Sequence, residues 1–526
     1  MNATGQDQGA RDDAHLRSLG IIPQLQRSLG SMSNFAVAFS YLSVSTGMYG
    51  LIGLGFFVGG PPFFWSWPLV VAGQLFVALN FAELASHFPV AGSIYQWSKR
   101  LSNQTLGWFT GWFYFWAGIL TICSVAIIVP AVLASIFGID GTQMYGPFNW
   151  YAWVALGFLV VTTIINAFGI RLLAAINNIG VAAEILGLFV FALVLLIFFN
   201  HQPLSVLTDT FGLESQAGGN YLPVFAVAAF MSLFVVYGFD TAGTFGEETV
   251  DAGRHAPRGI LLAVLLSAGI GAIFLLAIIL STKDIPAEIA AAAAGANPIA
   301  DTIHANMGDT FGNVYLAVVL TAVFVCLMAI HGATARLMFS MGRDGRLPMG
   351  RTWAHVSPQF KTPINAVVAV GVLGAIPLMV TNSVAILATG ATGVIYLSYW
   401  LCNVGVLLAR ARGWPRKPAW FRLGSWGLLV NIIAVVYGAV MIVNFGLWHF
   451  DAFGDWGSGL RDASNPTINT LTFLGSKPLA SLPAWPIFET TVGSVFIVGV
   501  LYYLVAQRGK TETAPADAAM GEAVPA

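Results

Sequence analysis

Ser40-Tyr41-Leu42-Ser43-Val44-Ser45-Thr46-Gly47-Met48-Tyr49-Gly50 lies in the middle of the first long apolar run of a 526-residue chain. A straight, lipid-facing helix would carry Leu or Val there. Hydroxyls and glycines weaken it instead, and the weakness continues at Gly53 and Gly55. About 195 residues downstream the same chemistry returns in Val236-Tyr237-Gly238-Phe239-Asp240-Thr241-Ala242-Gly243-Thr244-Phe245-Gly246, now with a carboxylate. A broken helix frees backbone groups that an intact one keeps to itself, and two breaks five spans apart are the expected mark of an inverted five-helix repeat. Asp240 reinforces the reading, because a charge at a helix centre costs about 2.5–3.5 kcal/mol unless it faces water, a partner or cargo.

Working outward, 57% of the residues are apolar and 9% charged, against roughly 25% charged in a soluble domain. Runs of ~20 apolar residues are long enough to cross about 30 Å of hydrocarbon. Their boundaries predict an all-α integral membrane protein of about twelve spans, near 34–57, 62–86, 107–137, 150–168, 174–199, 222–245, 258–281, 311–340, 364–381, 384–409, 424–447 and 487–506. Spans one to five (about 34–199) and six to ten (about 222–409) form the two halves, with spans eleven and twelve (about 424–506) appended. The single transporter domain is thus 31–506, between disordered cytoplasmic tails at 1–30 and 507–526.

Loop charge tests the count. With the amino terminus inside, twenty of the 23 basic residues fall on the cytoplasmic side, and only Lys283, Arg461 and Lys477 lie outside. That asymmetry predicts an even number of spans with both termini cytoplasmic in the plasma membrane. Residues 1–30 are polar and mixed in charge, unlike a cleavable signal, so the first span is expected to act as the targeting signal. Cys123, Cys326 and Cys402 all sit inside apolar runs and read as buried packing residues. A net charge of −1 speaks against a nucleic-acid partner. No zinc-like His/Cys spacing, P-loop or catalytic constellation is seen, so no metal, cofactor, ATP hydrolysis or enzyme activity is expected. The external segment from Trp448 to Pro486 reads as a plain loop.

The run Glu83-Leu84-Ala85-Ser86-His87-Phe88-Pro89-Val90-Ala91-Gly92-Ser93-Ile94-Tyr95-Gln96-Trp97 resembles the amino acid–polyamine–organocation (APC) superfamily, above all its amino acid/choline branch of GABA and choline permeases. Gly238-Phe239-Asp240, Gly246-Glu247-Glu248-Thr249 before Arg254-His255-Ala256-Pro257-Arg258, and Ala335-Arg336 through Arg343-Asp344-Gly345-Arg346-Leu347-Pro348 carry the same resemblance, which covers about residues 30–505. It implies a LeuT-like fold, alternating access, and a substrate held between the unwound parts of the first and sixth spans. By position these are Ser43, Val44, Ser45, Thr46 and Gly47, and Phe239, Asp240 and Thr241. Open amides at Ser45, Thr46 and Gly47 would hold a substrate carboxylate at a positive helix end. Carbonyls of the sixth span and Asp240 would receive an ammonium group, and Phe239 would close over the cargo as a gate.

Import against a gradient needs a coupling proton or sodium ion, or exchange. Glu184, buried in the fifth span, is the expected coupling group, since a carboxylate in low dielectric can load and release a proton. The resemblance implies a titratable and more often basic group there, so Glu184 departs in charge. Glu247 and Glu248 are expected to pair with Arg254, Arg258 or a loop cation and close the inner gate. His331, Asn80 and Glu83 read as packing or interfacial groups. A GABA-type amino acid is the expected cargo. Choline or a polyamine, caged by Tyr41, Tyr49, Tyr237, Phe239 and Phe245, is the alternative, and a passive channel the alternative of another class. The oligomeric state is not readable.

Overall fold

The computed structural model describes residues 3–141, 143–146, 148–379, 384–447, 470–473, 477–481 and 487–508. Every expected span falls on a helix or on a broken pair of helices. In chain order they are α1 (Ala3–Ser18), α2 (Ser31–Leu42), α3 (Val44–Leu54), α4 (Ser66–His87), α5 (Ser93–Leu101), α6 (Gln104–Phe137), α7 (Trp150–Ala167), α8 (Ile170–Phe198), α9 (Tyr221–Ala228) and α10 (Phe230–Val235). There follow α11 (Thr241–Thr244), α12 (Ala252–Ser281), α13 (Ile285–Ala293), α14 (Pro298–Arg343), α15 (Gly350–Trp353), α16 (Ile364–Leu378), α17 (Val384–Ala411), α18 (Gly427–Leu447) and α19 (Ile487–Tyr502). Among the described residues nine helical stretches are long and apolar enough to cross a membrane. Shorter apolar helices at Tyr221–Val235, Ile364–Leu378 and Thr491–Gln507 fall at the sixth, ninth and twelfth expected spans.

The expected loop 448–486 lies outside the described residues, apart from β3 (Thr470–Phe473) and β4 (Lys477–Ser481), which pair antiparallel. A smaller hairpin, β1 (Met144–Tyr145) with β2 (Phe148–Asn149), precedes α7. The expected tail at 507–526 is described only to residue 508.

The helices are two-faced in the way a bilayer demands. On α8 the buried Asn177, Val181, Glu184, Leu188, Phe191 and Leu195 recur every three or four residues. Ile179, Leu186, Phe189, Val190, Leu193 and Ile197 on the other side are exposed and wholly apolar. Exposed apolar surface of that extent is tolerable only against lipid. The same period puts Glu184 on the protein-facing side. The first span is the most enclosed, whereas α7 and α18 present most of their surface outward.

Both expected breaks are present. α2 ends at Leu42 and α3 begins at Val44, with Ser43 between them at φ 29°, ψ 92°. α10 ends at Val235, and the chain stays non-helical through Val236 (φ −92°, ψ 63°) and Gly238 (φ 89°) until α11 begins at Thr241. The segment before the first span and the segment after the sixth are stitched together. Ser28 and Leu29 N–H both donate to Glu248 O at 2.9 Å, and Val250 N–H donates to Leu29 O at 2.9 Å. Asn34 of α2 adds donations to Ala242 O (2.8 Å) and Thr249 Oγ1 (2.9 Å).

Residues 3–29 differ from the disordered tail expected of them. α1 packs through Leu16, and Leu19, Ile21 and Leu29 are also buried. Arg27 donates to Asp13 at 2.7 Å and to Gly9 O at 3.1 Å. Arg27 is matched to Asp12 and Asp13, and composition alone does not reveal such pairing. A short helix precedes the eighth span and meets it at a kink at Gly308 (φ 77°) within Pro298–Arg343.

Candidate substrate and coupling site

The break in the first span is built around Ser43. Its left-handed backbone is costly for a residue with a Cβ, and its side chain offsets that cost by capping α3. Ser43 Oγ accepts from Thr46 N–H at 3.3 Å and lies 2.6 Å from Thr46 Oγ1, while Gly47 N–H donates to Ser43 O at 3.0 Å. Ser43 Oγ donates in turn to Glu184 Oε1 at 2.9 Å, and Ser45 N–H donates to the same oxygen at 3.0 Å. The positive end of α3 therefore already holds a carboxylate, supplied by α8. The amides of Ser45, Thr46 and Gly47, expected to stand open for cargo, are all engaged in this conformation. Glu184 Oε2, Ser45 Oγ and Thr241 Oγ1 are buried without a hydrogen-bond partner.

The break in the sixth span is held by hydroxyls that sequence reasoning did not single out. Asp240 Oδ2 accepts from Tyr114 Oη at 2.6 Å and Ser93 Oγ at 2.8 Å, and Oδ1 accepts from Tyr399 Oη at 2.5 Å. Tyr399 Oη also accepts from Gly238 N–H at 2.8 Å, so one phenol ties α17 to both ends of the unwound stretch. Asp240, expected to face an ammonium group, is thus fully buried and satisfied by three hydroxyls. Gly238 is obligatory twice over: its φ is 89°, and a Cβ there would run into the Tyr41 ring. Tyr41 in turn meets Tyr237 edge to face at 6.3 Å, so the two breaks lie against each other. Phe239 is buried against Phe81 (6.0 Å) and Tyr399 (5.5 Å).

Beyond the sixth-span break, charges pair across the end of the bundle. Glu248 receives Arg336 Nε at 2.8 Å and Nη2 at 3.0 Å, with neither side chain exposed. Glu247 receives Arg343 at 2.9 and 3.1 Å and Ala91 N–H at 3.0 Å. These partners replace Arg254 and Arg258, the named candidates, whose guanidinium groups lie over the Trp420 ring at 5.8 and 4.4 Å. The turn at Gly246–Glu248, followed by Asp251 at φ 50°, directs the glutamates to α14 and starts α12 in another direction. Asp344, just past α14, accepts from Lys99 at 3.0 Å and Tyr95 at 2.8 Å. Burial alone would raise its pKa, but Lys99 and Arg343 outweigh burial and hold the carboxyl below its usual range.

Glu83 pairs with Arg410 and accepts from Leu423 N–H at 2.9 Å, while Asn80 donates to Asn403 at 3.0 Å. His331 contacts Val367 O (2.9 Å) and Thr162 Oγ1 (3.3 Å), the surroundings of a packing residue.

An α-helical bundle with a lipid-facing surface and two apposed discontinuous helices, each bonded to a buried carboxylate, defines a multi-pass membrane transporter. The amino acid permease family model matches residues 29–449, and the chain belongs to that family, within the APC superfamily. It is 29% identical to the amino-acid permease BAT1 of Arabidopsis thaliana over 456 residues, covering 82% of this chain and 87% of that one. It is 24% identical to a choline transporter of Saccharomyces cerevisiae over 444 residues, covering 80% and 76%. The crystal structure of MhsT in complex with L-phenylalanine matches the fold with a TM-score of 0.56 at 14% identity, covering 80% of this chain and 99% of that one. The fold is LeuT-like.

Proposed function

We propose that the protein is a secondary active transporter of the plasma membrane, importing an amino acid or amino-acid-like amine of the GABA type by alternating access. It spans the membrane twelve times with both termini cytoplasmic. Cargo binds between Ser43–Gly47 and Phe239–Thr241, and Phe239 closes over it. The observation that carries this reading is the grip of Glu184 Oε1 on both the Ser43 hydroxyl and the Ser45 amide. An ionised carboxylate binds the positive end of α3 strongly, and a protonated one binds it weakly. Proton arrival at Glu184 would free the amides for a substrate carboxylate, and proton departure would reclaim them. Likeness to amino acid permeases supports the cargo class. The ion pairs Glu248–Arg336 and Glu247–Arg343 close the inner end when the site faces outward.

A second reading, an organic cation without a carboxylate, is favoured by the same occupancy: Glu184 already fills the anion position at α3, and Tyr41, Tyr237 and Phe239 supply aromatic faces. Competition of amino acids, GABA, choline and polyamines against labelled uptake in proteoliposomes decides between them. Inhibition by GABA or amino acids but not by choline upholds the first reading. Inhibition by choline alone overturns it, and non-saturable, non-accumulating flux overturns both.

A further inference from the structure

At the end of the bundle that carries the paired glutamates, a cavity of roughly 870 Å³ opens between α1, the turn after α4, the start of α12 and the segment joining α17 to α18. Nearby cations are matched to acids: Arg336 to Glu248, Arg343 to Glu247, Lys99 to Asp344, Arg410 to Glu83 and Arg27 to Asp13. Three cations lining the cavity are not. Arg254, Arg416 and Lys417 have no carboxylate within ion-pair distance among the described residues, and Arg254 has only the face of Trp420.

Two acids, Asp12 and Asp251, reach the cavity, and neither forms an ion pair with those three cations. Asp12 accepts from Asp251 N–H at 2.9 Å and faces Arg27 at 3.8 Å, and Asp251 accepts from Gln8 at 3.4 Å. With three such cations against two acids, the cavity keeps a positive excess among the described residues, with Trp414 and Trp420 as its aromatic walls. The loop behind it is polybasic, carrying Arg412, Arg416, Lys417 and Arg422 after α17. A basic pocket at the ends of membrane helices suits a phosphate group, and one at the cytoplasmic surface suits an anionic headgroup.

We propose that this cavity binds a phosphate-bearing anion, held by Arg254, Arg416 and Lys417 against the tryptophan walls. Its source is either an anionic phospholipid headgroup or a soluble phosphate ester. Bound there, the anion bridges the start of α12 to the segment 414–420 and fastens this end of the bundle. The proposal rests on the orientation given above, in which this end is cytoplasmic.

The test uses the full chain in lipid nanodiscs. In one arm phosphatidylglycerol replaces increasing amounts of phosphatidylcholine, and in the other glycerol 3-phosphate is added to pure phosphatidylcholine discs. Thermal unfolding is read in both. The variant is Arg416→Gln/Lys417→Gln, both exposed side chains, and its control is Arg412→Gln/Arg422→Gln, the same charge change outside the cavity lining. A rise of several degrees with phosphatidylglycerol, cut by at least half in the variant but not in the control, establishes a lipid site. The same pattern with glycerol 3-phosphate alone establishes a soluble-anion site. No rise in either arm, or an equal loss in variant and control, overturns the proposal. Uptake by the unaltered protein in phosphatidylcholine proteoliposomes is scored separately, so failure of the transport reading is distinguishable from failure of the anion site.

Discussion

Asp240→Asn alters a single atom in a carboxylate that accepts three hydroxyl protons, and the structure states what each loses. Tyr114 and Ser93 both reach Oδ2, so the Asn oxygen can keep them, but each bond falls from charge-assisted to neutral, about 1 kcal/mol apiece. The amide nitrogen then faces Tyr399, whose oxygen already accepts from Gly238 N–H at 2.8 Å. Tyr399 can accept a second time, but its own proton is left without an acceptor, and a buried unsatisfied polar group costs about 1–3 kcal/mol. The combined loss is about 3–5 kcal/mol, roughly a hundredfold to a few thousandfold in any equilibrium that requires the ordered break. Initial rates of labelled uptake in proteoliposomes, with membrane abundance measured alongside, are expected to fall by about that range while abundance is retained. Tyr399→Phe keeps the Tyr114 and Ser93 bonds but strands Asp240 Oδ1 and Gly238 N–H, two buried groups at about 1–3 kcal/mol each, and is expected to lower uptake by a comparable factor. Uptake by Asp240→Asn indistinguishable from the unaltered protein would refute the argument.

Gly238→Ala combines a left-handed backbone with a collision against Tyr41 and should abolish uptake; a variant of normal activity would show that the break does not need this conformation. Arg336→Met strands the Glu248 carboxylate and should destabilise by about 3–5 kcal/mol, whereas Arg336→Met/Glu248→Leu should recover most of it in thermal unfolding. Glu184→Gln keeps an acceptor for Ser43 and Ser45 but cannot change charge, so pH-driven accumulation should vanish while counterflow exchange persists. Proton-driven accumulation by that variant removes Glu184 from coupling. Because the folded carboxyl of Asp344 sits below its unfolded value, its contribution is fully present above the unfolded value and is lost only as pH falls through the depressed one. Lys99→Gln should therefore move the acid limb of the stability curve to higher pH, and an unmoved limb would count against the ion pair.

The breaks and Glu184 were legible in sequence because each violates a local rule of the bilayer: hydroxyls, glycines or a carboxylate stand where Leu would otherwise be expected. Their partners were not. Tyr114, Ser93 and Tyr399 carry no such signature, since aromatics and hydroxyls are common in spans, and only the packing of α6 and α17 against the sixth span brings them to Asp240. For Glu247 a loop cation was anticipated and Arg343, past the expected eighth span, supplies it, but the Arg336 partner of Glu248 was not, because nearness in sequence favours Arg254 while the turn at Gly246–Glu248 favours α14. The order of residues 3–29 was missed for a similar reason: a charge count does not record which charges meet.

The backbone stitch between residues 28–29 and 248–250 carries a mechanical consequence. Its three bonds run between main-chain atoms, so ordinary substitutions leave them in place. The start of the first span and the end of the sixth share a pivot rather than having one each. A displacement at either break is delivered to the other through a main-chain tie, without a relay of side chains. Only a residue lacking an N–H, such as proline at Leu29 or Val250, cuts a strand of that tie.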